Sequence, residues 1–194
     1  MKYLFRTWGG SALVACLVTL PPAVVLATDQ TINLTATSPK FCQFTSVPGF
    51  SATINASGTA LIGTSTVNID TAASSSGIMN DFAFRFTANA TCNAPSKFHL
   101  SSLGNGLKPS PVPTVSSGTF LNQINYQASG TWNGGTASAL TTTGGAGPAT
   151  STDRLQAAAV AGQVIVDVTA VLNTSAPLLA GTYADTLRLT LEPQ

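Results

Sequence analysis

The chain has 194 residues, 44% of them apolar, yet only 8% are Asp, Glu, Lys or Arg, against about 25% in an average globular protein. That length suits one domain with a proper core, and apolar residues in alternating runs argue against a disordered Ser/Thr/Gly-rich polymer. Eight basic and seven acidic side chains form no basic patch, which argues against nucleic acid or an anionic membrane as partner.

Residues 1–27 read as a secretory signal peptide: Lys2 and Arg6 supply the positive start, Ala12 to Leu20 the apolar run, and Val25-Leu26-Ala27 the small-residue cleavage site. Pro21-Pro22 interrupt the run, so it is too short to span a membrane, and no membrane span is expected after cleavage. Leu13-Val14-Ala15-Cys16 offers a lipoprotein alternative, but the stretch after Cys16 is apolar where a lipoprotein continues with a polar tether. Cleavage removes two basic residues and leaves a net charge of −1. It also removes Cys16 and leaves Cys42 and Cys92, an even pair in an oxidising compartment, for which a disulfide is expected.

Along the remaining chain, Ile32, Leu34 and Ala36 alternate with Thr31, Asn33 and Thr35, the period-2 pattern of a strand. Lys40 to Phe44 offers a second short strand carrying Cys42. Residues 47–63 read as loop, with Pro48-Gly49 a turn, and Thr64 to Asp70 as a strand with Val67 and Ile69 facing inward. Phe82 to Cys92 is the clearest internal strand, its even-numbered positions apolar and its odd-numbered ones mostly polar. Phe98, Leu100 and Ser102 line the next, and Asn105-Gly106 fits a tight turn.

Lys108 to Gly118, with three prolines, is an extended loop. Residues 119–132 carry Ile124, Tyr126 and Ala128 on one face, and Asn133-Gly134-Gly135 turns into Thr136 to Thr142. Leu155 to Ala161 is the one stretch that invites a helix. Gly162 to Leu172 is a strong strand with Val164, Val166, Val168, Ala170 and Leu172 inward. Leu187, Leu189 and Leu191 alternate with Arg188 and Thr190 in a final strand. The sum is an all-β sandwich of about seven to nine strands with long loops.

Enzymatic constellations are thin. His99 is the single histidine and should point outward between inward Phe98 and Leu100. The acids are spread singly, no Gly-x-Ser-x-Gly turn is present, and no ligand spacing suggests a metal. The chain is therefore read as neither an enzyme nor a cofactor or metal binder. What remains is interaction chemistry: a strand with an open edge docks another strand. The candidate groove lies beside Leu187–Leu191, and the candidate plug is Ile32 to Ala36.

Several features coincide in order: an alternating N-terminal segment leading to Cys42, a Phe/Thr-rich strand ending at Cys92, the Phe98/Leu100 strand, a Gly-rich turn, the Ile124-Asn125-Tyr126 strand, and an ending Ala-Gly-Thr-Tyr-Ala-Asp-Thr followed by alternating leucines. On these residues the sequence resembles the spore coat protein U family, which includes subunits of archaic chaperone–usher pili. Residues 44–80 depart from it, with Val67-Asn68-Ile69-Asp70 where the family commonly has a Phe-Gly strand ending.

The resemblance implies an immunoglobulin-like, pilin-type sandwich lacking its last strand, with residues 28–38 as a donor-strand segment and 39–194 as the sandwich domain. It implies Ile32, Leu34 and Ala36 as donor residues, Leu187, Leu189 and Leu191 as the acceptor groove, and Cys42–Cys92 as the disulfide. The implied partners are neighbouring pilin subunits, a periplasmic chaperone and an outer-membrane usher. The implied location is the surface of a Gram-negative bacterium, reached through the periplasm, in a fibre serving adhesion or biofilm formation. The alternative is a free-standing monomeric secreted sandwich that binds a ligand near Trp132 and Tyr126 or coats the surface.

Overall fold

The alternation of apolar and polar residues that runs through this sequence becomes fourteen strands and no helix among the described residues. The computed structural model describes residues 33–46, 48–61, 63–111, 119–135 and 137–194. The chain divides into two units, Met1–Thr37 and Ser38–Gln194. In the first, residues 33–37 are exposed and form no strand, with Leu34 91% exposed. The strand expected there is thus absent from its described part: period-2 alternation favours a strand only where a neighbour completes the ladder. Ile32 and the expected signal peptide lie outside the described residues.

In the second unit, the strands in chain order are β1 (Cys42–Phe44), β2 (Gly49–Ile54), β3 (Ala56–Thr59), β4 (Thr66–Ile69), β5 (Ala83–Cys92), β6 (Ser96–Ser102) and β7 (Lys108–Pro109). They continue with β8 (Asn125–Trp132), β9 (Ser138–Thr141), β10 (Ala149–Thr150), β11 (Arg154–Gln156), β12 (Val160–Val171), β13 (Tyr183–Ala184) and β14 (Leu187–Pro193). One antiparallel sheet runs β1-β5-β12-β8-β9, with β2 continuing the β1 edge along β5. The other is built on β6, with β14 along one edge and β10 and β11 in line along the other. Short pairs β3–β4 and β7–β13 flank them.

The sheets face each other across one core. Phe98 and Leu100 of β6 meet Ala128 and Trp132 of β8 and Val164, Val166 and Val168 of β12, all buried. The approach is close: a Cβ on Gly130 of β8 would stand 2.6 Å from the Phe98 ring. Cys42 and Cys92 are bonded, Cα to Cα 4.1 Å. They sit opposite each other between backbone bonds from Asn93 N–H to Phe41 C=O and from Thr45 N–H to Asn89 C=O. That makes them a non-hydrogen-bonded pair, the closer of the two antiparallel spacings.

Three expectations are corrected. Residues 47–63 contain β2 and β3 rather than loop alone; Phe50, Ala52 and Ile54 alternate, and β5 supplies the ladder that the Pro48-Gly49 turn leads into. Residues 155–161 form no helix: Arg154–Gln156 pairs with β6, and β12 begins at Val160, because strand neighbours outweigh weak local helix preference. Leu172 is 54% exposed, one residue past the end of β12, where no facing sheet remains to bury it.

Candidate functional site

Among the described residues, β14 is held on one side only. Its register against β6 runs from Leu187 opposite Ser102 to Pro193 opposite Ser96. Flanking bonds go from Leu103 N–H to Thr186 C=O and from Gln194 N–H to Pro95 C=O. Antiparallel bonds alternate along a ladder, so the backbone groups of Arg188, Thr190 and Glu192 are directed to β6. Those of Leu187, Leu189 and Leu191 are directed to the opposite edge, where no strand pairs among the described residues.

Beside this free edge, between the sheets, lies a cleft of about 530 Å³. Leu187 and Leu189 form one wall, and Phe44 of β1 with Phe84 and Phe86 of β5 form the other. Phe82, Leu100, Val166 and Val168 reach its floor from the core, and Val67 and Ile69 of β4 line it from the β3–β4 hairpin. Phe50 packs on Phe84 with ring centroids 5.7 Å apart. Phe44, Phe84, Phe86, Leu187 and Leu189 are only half-buried. A half-exposed row of large apolar side chains beside an unpaired edge is a costly surface to leave in water.

Tyr126 and Asp185 close one end of the cleft. The Asp185 carboxylate is ringed by donors. Its Oδ2 accepts from the Ser102 hydroxyl at 2.5 Å, the Tyr126 hydroxyl at 2.7 Å and the Gly106 N–H at 3.3 Å. Its Oδ1 accepts from the N–H groups of Gly104 and Thr186, both at 2.7 Å. Burial, above all, pushes the Tyr126 phenol well above its ordinary range, so it remains a donor. On the outer face of β6, Lys97 Nζ lies 2.9 Å from Glu192 Oε2 and 3.8 Å from Asp153 Oδ2, and His99 Nδ1 lies 3.4 Å from Asp153 Oδ1. His99 lies on the face of β6 away from the core but is largely covered there, its side chain 18% exposed; no group of residues that could hold a metal occurs among the described residues.

Of the acceptor residues expected from sequence, Leu187 and Leu189 line the cleft, while Leu191 packs against the core outside that lining. Of the expected donors, Leu34 and Ala36 are exposed. Of the residues named for the alternative ligand site, Trp132 is 2% and Tyr126 4% exposed, both within the core, with Tyr126 also lining the cleft. Sequence reasoning missed Asp185, which it counted among singly spread acids, although Asp185 stands in the Gly181-Thr-Tyr-Ala-Asp185 run singled out for its pattern. Comparison with protein-family models, curated proteins and solved structures found no match to this chain.

Proposed function

We propose that the protein is a structural subunit of a surface fibre, a pilus or spore-coat-U-like polymer, in which a strand from a neighbouring subunit fills the cleft beside β14. The observation that carries this reading is the combination of an unpaired β14 edge with an apolar cleft along it. Such an edge takes up an extended segment by main-chain bonds, while the pockets select alternate side chains.

The strand order supports an immunoglobulin-like arrangement with one position vacant. With β1/β2 as A, β5 as B, β6 as C, β8 as D, β12 as E and β14 as F, one sheet reads A-B-E-D and the other contains C-F, as in that fold. The position beside F, which strand G takes there, is the cleft edge. Tyr183, just before β14, donates its hydroxyl to the Leu179 carbonyl at 2.8 Å, the geometry of the tyrosine corner that precedes F. The disulfide departs from that pattern, since it joins A to B within one sheet.

The segment Ile32-Asn33-Leu34-Thr35-Ala36 is the matching occupant. Three apolar side chains at alternate positions would enter the cleft, and the intervening polar ones would face water. On this reading the subunit is exported through the periplasm, held by a chaperone and passed to an usher, and the fibre serves adhesion or biofilm formation.

The test is to express the full chain, purify the exported form and run it unboiled on a gel. Polymer is expected, and Ile32→Asp with Leu34→Asp should abolish it while the circular dichroism of the sandwich is kept. A peptide copying residues 28–38 should raise the melting temperature of that double variant by mass action. Polymer that survives the double substitution, or a wild-type monomer indifferent to the peptide, would leave the free-standing secreted sandwich as the reading.

A further inference from the structure

The loop Ser102-Leu103-Gly104-Asn105-Gly106 looks from sequence like a simple turn, but in the structure it is wrapped around a carboxylate 79 to 83 residues away in the chain. Ser102 is fully buried, and its Oγ also accepts from the Gly106 N–H at 3.2 Å. Asn105 adopts φ 54° and Gly106 φ 120°, left-handed geometry in the turn that brings the Gly104 and Gly106 N–H groups onto the carboxylate. Gly104 has no room for a side chain: a Cβ there would stand 2.8 Å from Asp185 Oδ1 and 2.9 Å from the Gly106 carbonyl. Every group bonded to Asp185 is a donor, and Asp185 lies two residues before Leu187, the first residue of β14.

β14 needs such an anchor more than the other long strands do. Among the described residues, β5, β8 and β12 have ladders on both sides, whereas β14 has one. At its far end the strand is tied by the Lys97–Glu192 pair, which is partly open to water and weak for that reason. The end beside the cleft is tied by Asp185.

We propose that Asp185 is a positioning residue for strand capture: clamped by the 102–106 loop and Tyr126, it fixes the start of β14 so that the Leu187 and Leu189 backbone and side chains are presented in register to an incoming strand. The inference rests on the strand-capture reading for its functional consequence. The clamp itself can be tested without it.

The experiment compares the purified full chain with Asp185→Ala, Asp185→Asn and Gly104→Ala variants, and with Leu140→Ala, which opens the core in β9 without removing any group bonded to Asp185. Residue-resolved hydrogen exchange is the first readout. In Asp185→Ala the Arg188 and Thr190 amides should exchange at least about tenfold faster, the least that loss of a charge-assisted bond predicts, while β5 and β12 amides change little.

Asp185→Asn should restore much of the protection. Its carbonyl can take the Gly104 and Thr186 N–H groups, and its amide N–H groups can meet the two hydroxyl oxygens. Gly104→Ala should resemble Asp185→Ala in pattern and keeps the question open to measurement if Asp185→Ala does not fold. Acceleration spread evenly over both sheets, as Leu140→Ala should give, or none at β14, would overturn the clamp.

The second readout is capture of the 28–38 peptide, for which Asp185→Ala should weaken affinity at least about tenfold and Leu140→Ala should not. Equal losses in the two would overturn the positioning role. If the wild-type chain ignores the peptide, strand capture itself fails, while the exchange pattern still decides whether Asp185 holds β14.

Discussion

Reducing the Cys42–Cys92 bridge is expected to lower the unfolding free energy by about 4 kcal/mol, because the bridge closes a loop with a sequence separation of 50. Against a typical domain stability of about 5–15 kcal/mol, this is a large fraction. β1 is three residues long and pairs only with the end of β5, so without the bridge its attachment rests on a few ladder bonds, the Asn93 side-chain bonds to Phe41 N–H and the Pro39 carbonyl, the bond from Asn89 N–H to Ser46 Oγ, and the packing of Phe44. Reduction is a cleaner perturbation than substitution, since both sulfurs stay in place and no cavity opens around Cys92, which is 1% exposed.

The assay is urea unfolding of the oxidised and reduced chain at equal pH, followed by tryptophan fluorescence, with Trp132 in the core as reporter. The midpoint should fall and the denaturant slope should rise, because the unlinked unfolded chain exposes more surface. A loss below about 1 kcal/mol would refute the reasoning: it would mean that the reduced unfolded chain keeps the loop nearly closed, so the bridge removes little entropy. Because Phe44 lines the cleft, reduction should also weaken capture of a 28–38 peptide, even at temperatures where the rest of the sandwich stays folded.

Other consequences follow from particular contacts. Gly130→Ala should destabilise the chain by about 1–3 kcal/mol by overpacking the core against Phe98, read as a lowered urea midpoint; an unchanged midpoint would show that the sheets can part without cost. Glu192 is held below its ordinary value of 4.5 chiefly by its hydrogen bond to Lys97, and Lys97 is held above 10.5 chiefly by the same bond. The Glu192 contribution is therefore complete above pH 4.5 and lost as pH falls through its depressed folded value; that of Lys97 is complete below pH 10.5 and lost as pH rises through its raised one. Both side chains are partly open to water, so the effect is small and salt-sensitive: the acid-side loss of stability should be shallower in Glu192→Gln, and an identical acid limb would remove Glu192 from the account.

The strands that bury one face were legible because burial writes period-2 alternation into them. Phe98 and Leu100, Ile124 to Trp132, and Val164 to Val168 all lie where their alternation puts them. β2 was not, since Phe50, Ala52 and Ile54 are half-buried or exposed and a Pro-Gly pair precedes them, so the signal is both weak and masked. The 155–161 stretch misled because Leu155 and three consecutive alanines favour a helix locally, whereas the ladder with β6 that decides Arg154–Gln156 is made with residues more than fifty positions away. The cleft was legible in one wall only. Leu187 and Leu189 announce themselves, but which strand stands opposite depends on topology, and Phe84 and Phe86 read from sequence as ordinary core. Asp185 was hidden for the same reason, its donors being distant in sequence.

The two seams of the sandwich make the strongest argument for what the open one is for. Where β9 meets the β10–β11 edge, the sheets are stitched by polar groups. Ser138 Oγ lies 2.6 Å from Ser151 Oγ and donates to the Thr152 carbonyl at 2.8 Å, and Arg154 Nε donates to the Ala137 carbonyl at 2.7 Å. Leu100 N–H is taken by Ser151 Oγ and Ser151 N–H by the Leu100 carbonyl, both at 2.9 Å. Ser138 is fully buried and Ser151 nearly so, and both hydroxyls find their partners within the chain. The seam between β14 and β1/β2 has the opposite chemistry, with half-buried phenylalanines and leucines on both sides and a free backbone edge between them. Side chains of this size gain on the order of 1.5–3 kcal/mol on going from full exposure to full burial, and the part of that which belongs to their remaining exposure is unrealised along the seam, together with unpaired N–H and C=O groups. A segment that brings apolar side chains and a backbone ladder at once meets both needs, whereas a small apolar ligand meets only the first. Filling the cleft with a detergent or fatty acid should therefore stabilise the chain without protecting the Leu187 and Leu189 amides from exchange, while a strand should do both.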